Sequence, residues 1–254
     1  LGGTNTRFAI SVDGEPDLKH VKQFRNAGFP DFDDVLSLYL SEIGDPALSG
    51  VCIAAAGPVS QGELRMTNIP WVITEAGLRR RLGVETALLI NDVQALGGAV
   101  EVLGPEGLVP VCNADAPPLP TGQKLVVNLG TGFNISVTTT SVGGKVLALR
   151  SETGHARMPS IINNALKGHI ADDAIAELVT YESLFFGRGL EWLYRQVAGP
   201  DAPVRAGKDI VDAATAGAPD EDCLTTVGLY AEATGLLCAD LVKQFMPTGG
   251  IYLT

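Results

Sequence analysis

The stretch LVVNLGTGFNISV, residues 125–137, joins two β-patterned runs through a glycine-threonine turn. The stretch LGGTNTRFAIS, residues 1–11, has the same design. Glycines let the backbone turn through positive φ and bring amide N–H groups close to a ligand, and threonine hydroxyls add further donors. Either turn alone is most simply a plain connection between strands. Two of them together predict a phosphate-bearing ligand held between two hairpins.

An apolar strand between these two stretches ends in Asn91 and Asp92. Strand ends in α/β sheets present side chains to a ligand crevice, and a carboxylate there can take a proton from a substrate hydroxyl. The alternative is that Asn91 or Asp92 only caps the helix that follows. With a phosphate-type turn on either side, the sequence favours Asp92 as a base.

The composition fits an ordinary globular protein, with 46% hydrophobic and 19% charged residues in 254. A net charge of -11 argues against a nucleic-acid or anionic-membrane surface. Any phosphate is therefore expected to be held locally, by loop amides and one or two cations. The four cysteines form no CxxC pair and are predicted to be buried free thiols, which together with the lack of a membrane-length apolar run indicates a cytoplasmic location.

Alternating strand and helix patterns predict an α/β protein with a small domain at 1–102 and a large domain at 103–254. A Pro- and Ala-rich loop at 104–122 follows the boundary, and the end of the larger domain is expected to be missing. Strands are predicted at 6–12, 51–56, 62–67, 86–90, 125–129, 133–137 and 145–150. Helices are predicted at 31–43, 74–82, 93–103, 172–178, 189–197, 209–216 and 222–245.

The loop SETGH, residues 151–155, combines the carboxylate of Glu152 with the imidazole of His155. Sugar hydroxyls need this kind of donor and acceptor set. A surface glutamate beside a structural histidine is the equally simple alternative. Glu182 precedes a glycine-rich helix start and, taken alone, is predicted to be a solvated or capping carboxylate. The remaining histidines have no ligand spacing, so zinc is not supported.

Five motifs together resemble the ATP-dependent bacterial-type glucokinases of the actin-like ATPase superfamily. They are GGTN at 2–5 with Arg7, MTN at 66–68 with Trp71, IND at 90–92, GTG at 130–132 and ETGH at 152–155. The motifs follow the family's order and cover nearly the whole chain. The resemblance implies two actin-like ATPase (ribonuclease H-like) α/β domains around a central cleft that holds MgATP and glucose.

The resemblance also implies a role for individual residues. Asp92 would be the catalytic base acting on the sugar 6-hydroxyl, with glucose 6-phosphate as the product. Implied sugar contacts come from Asn68, Asn91, Asp92, Glu152, His155 and Glu182. Implied nucleotide contacts come from Gly2, Gly3, Thr4, Asn5, Arg7, Gly130, Thr131 and Gly132. ATP and Mg²⁺ are the implied cofactors, no residue is assigned to the metal, and a homodimer is usual for the family. The acidic net charge gives no reason to expect nucleic-acid or membrane partners.

The sequence departs from the family pattern at three places. The family has an aspartate just before the residue matching Leu1 and a further glycine turn for adenosine after residues 249–250, and Thr153 stands where glycine is common. The sister family of sugar kinases and repressors usually has a cysteine-rich zinc motif, which this sequence lacks. Two alternatives stay open: a kinase of another hexose or amino sugar, and a non-catalytic sugar- or nucleotide-sensing relative.

Replacing Gly130 or Gly132 is expected to weaken ATP binding and to leave glucose binding intact.

Overall fold

The computed structural model describes residues 1–57, 59–66, 69–112, 117–130, 132–141 and 143–254. These residues form two compact units, Leu1–Ala95 and Leu96–Thr254. The boundary between the units falls inside a helix, a few residues before the domain boundary expected from the sequence. The domain division at 102 and 103 therefore stays a prediction.

The first unit combines a parallel strand pair with antiparallel hairpins and two packed helices. Its strands are β1 (Asn5–Val12), β2 (Glu15–Arg25), β3 (Gly50–Ala55), β4 (Val59–Ser60), β5 (Glu63–Arg65), β6 (Val72–Thr74) and β7 (Thr86–Asn91). Its helices are α1 (Phe32–Glu42), α2 (Glu75–Leu82) and α3 (Asp92–Ala99), of which α3 continues into the second unit. β3 and β7 pair in parallel, β1 and β2 form a hairpin, and β4, β5 and β6 form an antiparallel sheet.

Capping side chains and an apolar stripe explain the helices of the first unit. Asp31 caps α1 by accepting a hydrogen bond from Asp34 N, and Thr74 caps α2 in the same way from Gly77 N. α1 buries one face, on which apolar side chains recur three and four residues apart. That face packs into a core which also contains Leu64, Trp71 and Leu89.

The second unit is built on a four-stranded sheet and a set of helices. Its strands are β8 (Lys124–Leu129), β9 (Phe133–Thr140), β10 (Val146–Ala148) and β11 (Ile251–Leu253). Its helices are α4 (Ser160–Leu166), α5 (Asp172–Glu177), α6 (Gly189–Ala198), α7 (Gly207–Ala214) and α8 (Glu221–Phe245). The strand order is β10-β9-β8-β11, with β8 parallel to β11 and antiparallel to β9. The core of this unit places β8 and β9 against α4 and the long helix α8.

A nearly buried ion pair ties the segment after α3 to the sheet of the second unit. Lys124 Nζ lies 2.7 Å from Glu101 Oε2, and the two side chains are only 12% and 11% exposed. The hydroxyl of Thr140 on β9 donates to the same carboxylate oxygen at 3.4 Å. Each charge therefore has its partner where water is largely excluded.

Most of the elements predicted from the sequence are present with small shifts of their ends, but two expectations are wrong and one long strand was not predicted. The helix predicted over 93–103 ends at Ala99, since two glycines near its end weaken the helix. β2 was not predicted because it pairs only with β1 and exposes most of its side chains. All four cysteines are free thiols as predicted, but Cys52 and Cys112 are exposed rather than buried.

Candidate active site

Asn91 and Asp92 lie where the parallel strands of the first unit end. β3 and β7 run in the same direction, so their carboxyl ends meet at one edge of the sheet, the usual place for ligand-binding residues. Asn91 Nδ2 donates to the carbonyl of Gly57 at 3.4 Å. Gly57 has a φ of 153°, a backbone conformation that residues other than glycine rarely adopt. The strand end thus has a backbone shape that requires glycine.

The first turn of α3 decides between capping and chemistry at this strand end. Asn91 Oδ1 and Asp92 Oδ1 each accept a hydrogen bond of 2.9 Å from Val93 N. Asn91 precedes the helix, so capping is confirmed for Asn91. Asp92 accepts from the same N–H, and its half-buried carboxylate lies in the first turn of the helix, where negative charge is favourable. Its role as a base stays a prediction.

The glycine-threonine turn at residues 2–5 is fixed by one buried asparagine. Gly2 N donates to Asn5 O at 2.9 Å and closes the turn. Asn26, only 2% exposed, donates from Nδ2 to Gly2 O at 2.8 Å and accepts from Thr6 Oγ1 at 2.7 Å. Its backbone N–H also donates to Thr4 O at 2.9 Å. No signal in the sequence singles out Asn26, because its partners lie at the other end of the hairpin.

The predicted nucleotide residues of this turn have different environments. Thr4 and Arg7 are exposed, whereas Gly2, Gly3 and Asn5 are half-buried. The Arg7 guanidinium donates to Gln23 Oε1 at 3.1 Å across the β1–β2 hairpin. It is the type of cation that the acidic chain needs for holding phosphate locally.

Glycines in the second unit allow the GTG turn to lie close to the residues that were predicted to bind sugar. A Cβ on Gly132 would lie 2.8 Å from Glu182 Oε1, and a Cβ on Gly154 would lie 2.3 Å from Phe133 O. The Gly154 contact is with backbone and leaves no room for a side chain, whereas a side chain at position 132 would require the Glu182 carboxylate to move. The structure therefore brings the second turn, the SETGH loop and Glu182 together.

The carboxylates and the imidazole of this cluster face solvent. Glu152 and His155 are exposed, and Glu182 Oε2 lies 3.7 Å from His155 Nδ1. Glu182 lies in a short 3-10 helix, Tyr181–Ser183, which begins with reciprocal bonds between Thr180 and Ser183. Burial raises the pKa of the neighbouring Tyr181 hydroxyl, and the charge of Asp240 raises it further. Tyr181 thus stays neutral and anchors this short helix in the core.

Positive φ was one of two reasons expected for glycine in these turns, and it does not apply to Gly2 or Gly130. Positive-φ glycines of the described residues lie elsewhere in the chain. At Gly130 the reason for glycine is space, because a Cβ would lie 3.2 Å from Asn128 Oδ1. Two predicted site residues, Asn68 and Thr131, lie outside the described residues.

A cavity of about 650 Å³ lies beside α6 in the second unit. Its walls carry Arg188, Trp192, Arg195 and Arg205, and they include none of the residues predicted for the site. Arg205 is held by Asp220 at 2.9 Å. The cavity is thus rich in positive charge in a chain that is acidic overall.

Neither a cluster of metal-ligating side chains nor a helix that could span a membrane occurs in the part of the chain that the structure describes. No group of three or more His, Cys, Asp or Glu side chains in the described ranges converges as a metal site would. Within the same ranges, no helix is both long enough and apolar enough to cross a bilayer.

Comparison with known proteins relates this arrangement to one family. The family model for glucokinase matches residues 1–254. A glucokinase of Xanthomonas euvesicatoria is 32% identical over 264 residues, which cover 100% of this chain and 77% of that protein. The crystal structure of a glucokinase from an Antarctic psychrotroph matches with a TM-score of 0.79 at 24% identity, covering 100% of this chain and 80% of that one.

A second solved structure is a ROK-family glucokinase of Streptomyces griseus in complex with glucose and AMPPNP. It matches with a TM-score of 0.58 at 20% identity and covers 100% of this chain and 80% of that one. Likeness at these identities shows the fold, so the predicted class, two α/β domains of the actin-like ATPase type, is confirmed. Since the family model also spans every residue, the chain belongs to the glucokinase family.

Proposed function

We propose that this protein transfers the terminal phosphoryl group of ATP to the 6-hydroxyl of glucose, with glucose 6-phosphate as the product. The observation that carries the proposal is the pair Asn91–Asp92 at the carboxyl end of β7. Asn91 Oδ1 and Asp92 Oδ1 share the Val93 N–H, and a carboxylate has two acceptor oxygens, so Asp92 keeps acceptor capacity for a substrate hydroxyl. Membership of the glucokinase family supports the reaction class.

Asp92 has two tasks in this reaction. It accepts the proton of the 6-hydroxyl, which makes the oxygen a better nucleophile, and it orients that oxygen toward phosphorus. Phosphoryl transfer depends mainly on positioning and on charge neutralisation, so a fixed carboxylate is worth more than a mobile one. Its hydrogen bond from Val93 N restrains Asp92 in this way.

The two glycine-threonine turns are proposed to hold the phosphates of the substrate ATP. The turn at 2–5 is fixed by Asn26 and followed by Arg7, and the second is the hairpin turn between β8 and β9. Backbone N–H groups and Arg7 are the donors, because neither turn contains a lysine. Mg²⁺ bound with ATP would neutralise part of the phosphate charge at these turns.

Asn91, Glu152, His155 and Glu182 are proposed to bind the hydroxyl groups of the sugar. Carboxylates accept from hydroxyls, and the imidazole and carboxamide both donate and accept. Asn68 belongs to the same proposed set. Such a set of side chains forms hydrogen bonds with all the hydroxyls of one stereoisomer. When an epimer binds, at least one donor or acceptor of the site has no partner.

A cytoplasmic homodimer is the proposed form of the protein, as is usual for the resembled family. A kinase of another hexose or amino sugar is the second candidate, because the sugar-reading set fixes a hydroxyl pattern rather than one sugar. A non-catalytic sensor would need no base, which makes the available Asp92 carboxylate an argument against it.

A coupled assay of ATP consumption with a panel of hexoses and amino sugars tests the proposal. We expect turnover with glucose at the highest kcat/KM, and glucose 6-phosphate as the product identified by NMR. Turnover that is highest with another sugar would favour the second candidate. Glucose binding by calorimetry without turnover would favour a sensor and overturn the proposed reaction.

A further inference from the structure

Asn134 is a buried polar residue on β9, two positions after the GTG turn. It is 8% exposed. Its Nδ2 donates to Ser151 O at 2.6 Å, and its Oδ1 accepts from Thr153 N at 3.1 Å and from Ile135 N at 2.9 Å. The two loop partners are the immediate neighbours of Glu152 on either side.

This bonding pattern fixes the backbone that carries Glu152. A carboxamide that donates to one carbonyl and accepts from the N–H two residues later takes the place of a neighbouring strand. Glu152 itself has φ -130° and ψ 49°, outside the helical and strand regions, so regular secondary structure does not hold it. Losing either bond would leave a largely buried polar group unpaired, which is costly.

Two further contacts seat the same loop on β9. The backbone of Gly154 packs against Phe133 O so closely that a Cβ would lie 2.3 Å from it. The hydroxyls of Ser151 and Thr153 contact each other, which gives Thr153 a role within the loop. Residues 133–134 therefore form the platform on which the loop of Glu152 rests.

We propose that Asn134 is a positioning residue for Glu152, and that glucose affinity and epimer discrimination depend on its carboxamide. The inference rests on the proposed function, because it assumes that Glu152 contacts the sugar. Asn134 acts through the loop backbone. The base Asp92 lies on another element, so disturbing Asn134 should raise KM for glucose and leave kcat at saturating glucose largely unchanged.

Two variants test this role. Asn134→Ser removes both loop bonds, and we expect KM for glucose to rise about 10²-fold, the scale on which misplaced binding groups act. KM for ATP should change less than about threefold. The substitution weakens sugar binding equally in the ground state and the transition state and does not alter the contacts with ATP. Asn134→Asp keeps the shape and the acceptor oxygen but, when ionised, has no donor for Ser151 O.

The pH dependence of glucose binding by Asn134→Asp distinguishes positioning of the loop from a purely structural role. A protonated carboxyl has one O–H donor and one carbonyl acceptor, the same pattern as the carboxamide. Lowering the pH from about 8 to about 6 should therefore improve glucose binding by Asn134→Asp relative to the unaltered protein. Position 134 is buried, and burial favours the neutral form of the new carboxyl group. Calorimetric titration with glucose measures this ratio directly.

Asn163→Ala is the matched control. Asn163 lies on α4 of the same unit, and its buried Oδ1 has no hydrogen-bond partner among the described residues. Its replacement should leave KM for glucose and the pH dependence of glucose binding unchanged. Thermal melting of each variant establishes that it is folded, and if Asn134→Ser does not fold, the pH series of Asn134→Asp decides.

The outcomes separate the inference from the proposed function. An unaltered protein that does not phosphorylate glucose overturns the proposed function. If the unaltered protein is active, either of two results overturns the role of Asn134. One is an unchanged KM for glucose in Asn134→Ser, and the other is no improvement of glucose binding at low pH in Asn134→Asp.

Discussion

Gly132 and Glu182 approach each other so closely that a Cβ on Gly132 would lie 2.8 Å from Glu182 Oε1. Gly132 belongs to the turn expected to hold phosphate, and Glu182 belongs to the set expected to bind sugar. The two sets are thus joined by direct contact within the second unit. A side chain at position 132 would therefore displace the Glu182 carboxylate, which we propose to bind sugar.

Gly132→Ala should raise KM for glucose as well as KM for ATP. The sequence alone predicts an effect on ATP without one on glucose, and the contact with Glu182 changes that expectation. We expect KM for glucose to rise at least about tenfold, because a carboxylate displaced from its sugar contact loses a charge-assisted hydrogen bond worth about 1.5–3 kcal/mol. Steady-state kinetics with each substrate varied in turn measures both constants.

Gly228→Ala on α8 is the control for this substitution. A Cβ at Gly228 would meet nothing within 4 Å, so both KM values should stay unchanged. An unchanged KM for glucose in Gly132→Ala would mean that the contact with Glu182 has no bearing on sugar binding.

Asn26→Ala should weaken ATP binding and lower stability. The substitution leaves Gly2 O and the Thr6 hydroxyl without their partner, which costs about 1–3 kcal/mol in the free energy of unfolding. The loosened turn should raise KM for ATP about tenfold, which corresponds to about 1.4 kcal/mol. Asn164→Ala, an exposed asparagine on α4, is the control and should change neither quantity. A destabilised Asn26→Ala with normal KM for ATP would contradict a role of this turn in holding phosphate.

Galactose should be a poor acceptor compared with glucose. If the carboxylates and the imidazole of the site each pair with a hydroxyl, an epimer leaves a polar group unpaired, and such sites can reject analogues by about 10⁴ or more. The exposure of Glu152 and His155 works in the opposite direction, because water can replace a lost partner. The ratio of kcat/KM for the two sugars measures the effect, and equal values would remove the hydroxyl-reading role from these residues.

Lys124→Met should destabilise the protein without a direct effect on the site. It leaves the Glu101 carboxylate, 11% exposed, without its cation, and removing one partner of a buried pair costs up to about 3–5 kcal/mol. The double variant Lys124→Met/Glu101→Leu should recover much of the loss, since no unpaired charge remains. Urea unfolding measures both. A single variant within about 1 kcal/mol of the unaltered protein would show that the pair is effectively solvated.

Local patterns in the sequence were sufficient for the longer buried strands and for the helices with capping side chains, but not for β2, β4, β6 or α4. Alternating or continuous apolar runs predicted β3, β7, β8 and β9, because buried strands must have them. β2 was missed because an edge strand with exposed faces needs no such pattern. The fold class followed from motifs distributed along nearly the whole chain.

The residues that support the site could not be predicted in this way. Asn26 and Asn134 have partners 17 to 24 positions away in the chain, and no local pattern distinguishes them from asparagines in ordinary turns. The same holds for Gly132, whose need for space arises from a carboxylate on a distant segment. Contacts of this kind exist only once the strands have paired and the loops are in place.

Asp92→Asn is the measurement that tests the central claim most directly. Asparagine keeps the oxygen that accepts from Val93 N but cannot take the sugar proton, so the start of α3 should be undisturbed. We predict that kcat at saturating glucose and ATP falls by about 10²–10⁴, while the calorimetric dissociation constant for glucose changes only a few-fold. A variant that retains more than about a tenth of the original kcat would contradict the role of Asp92 as the base.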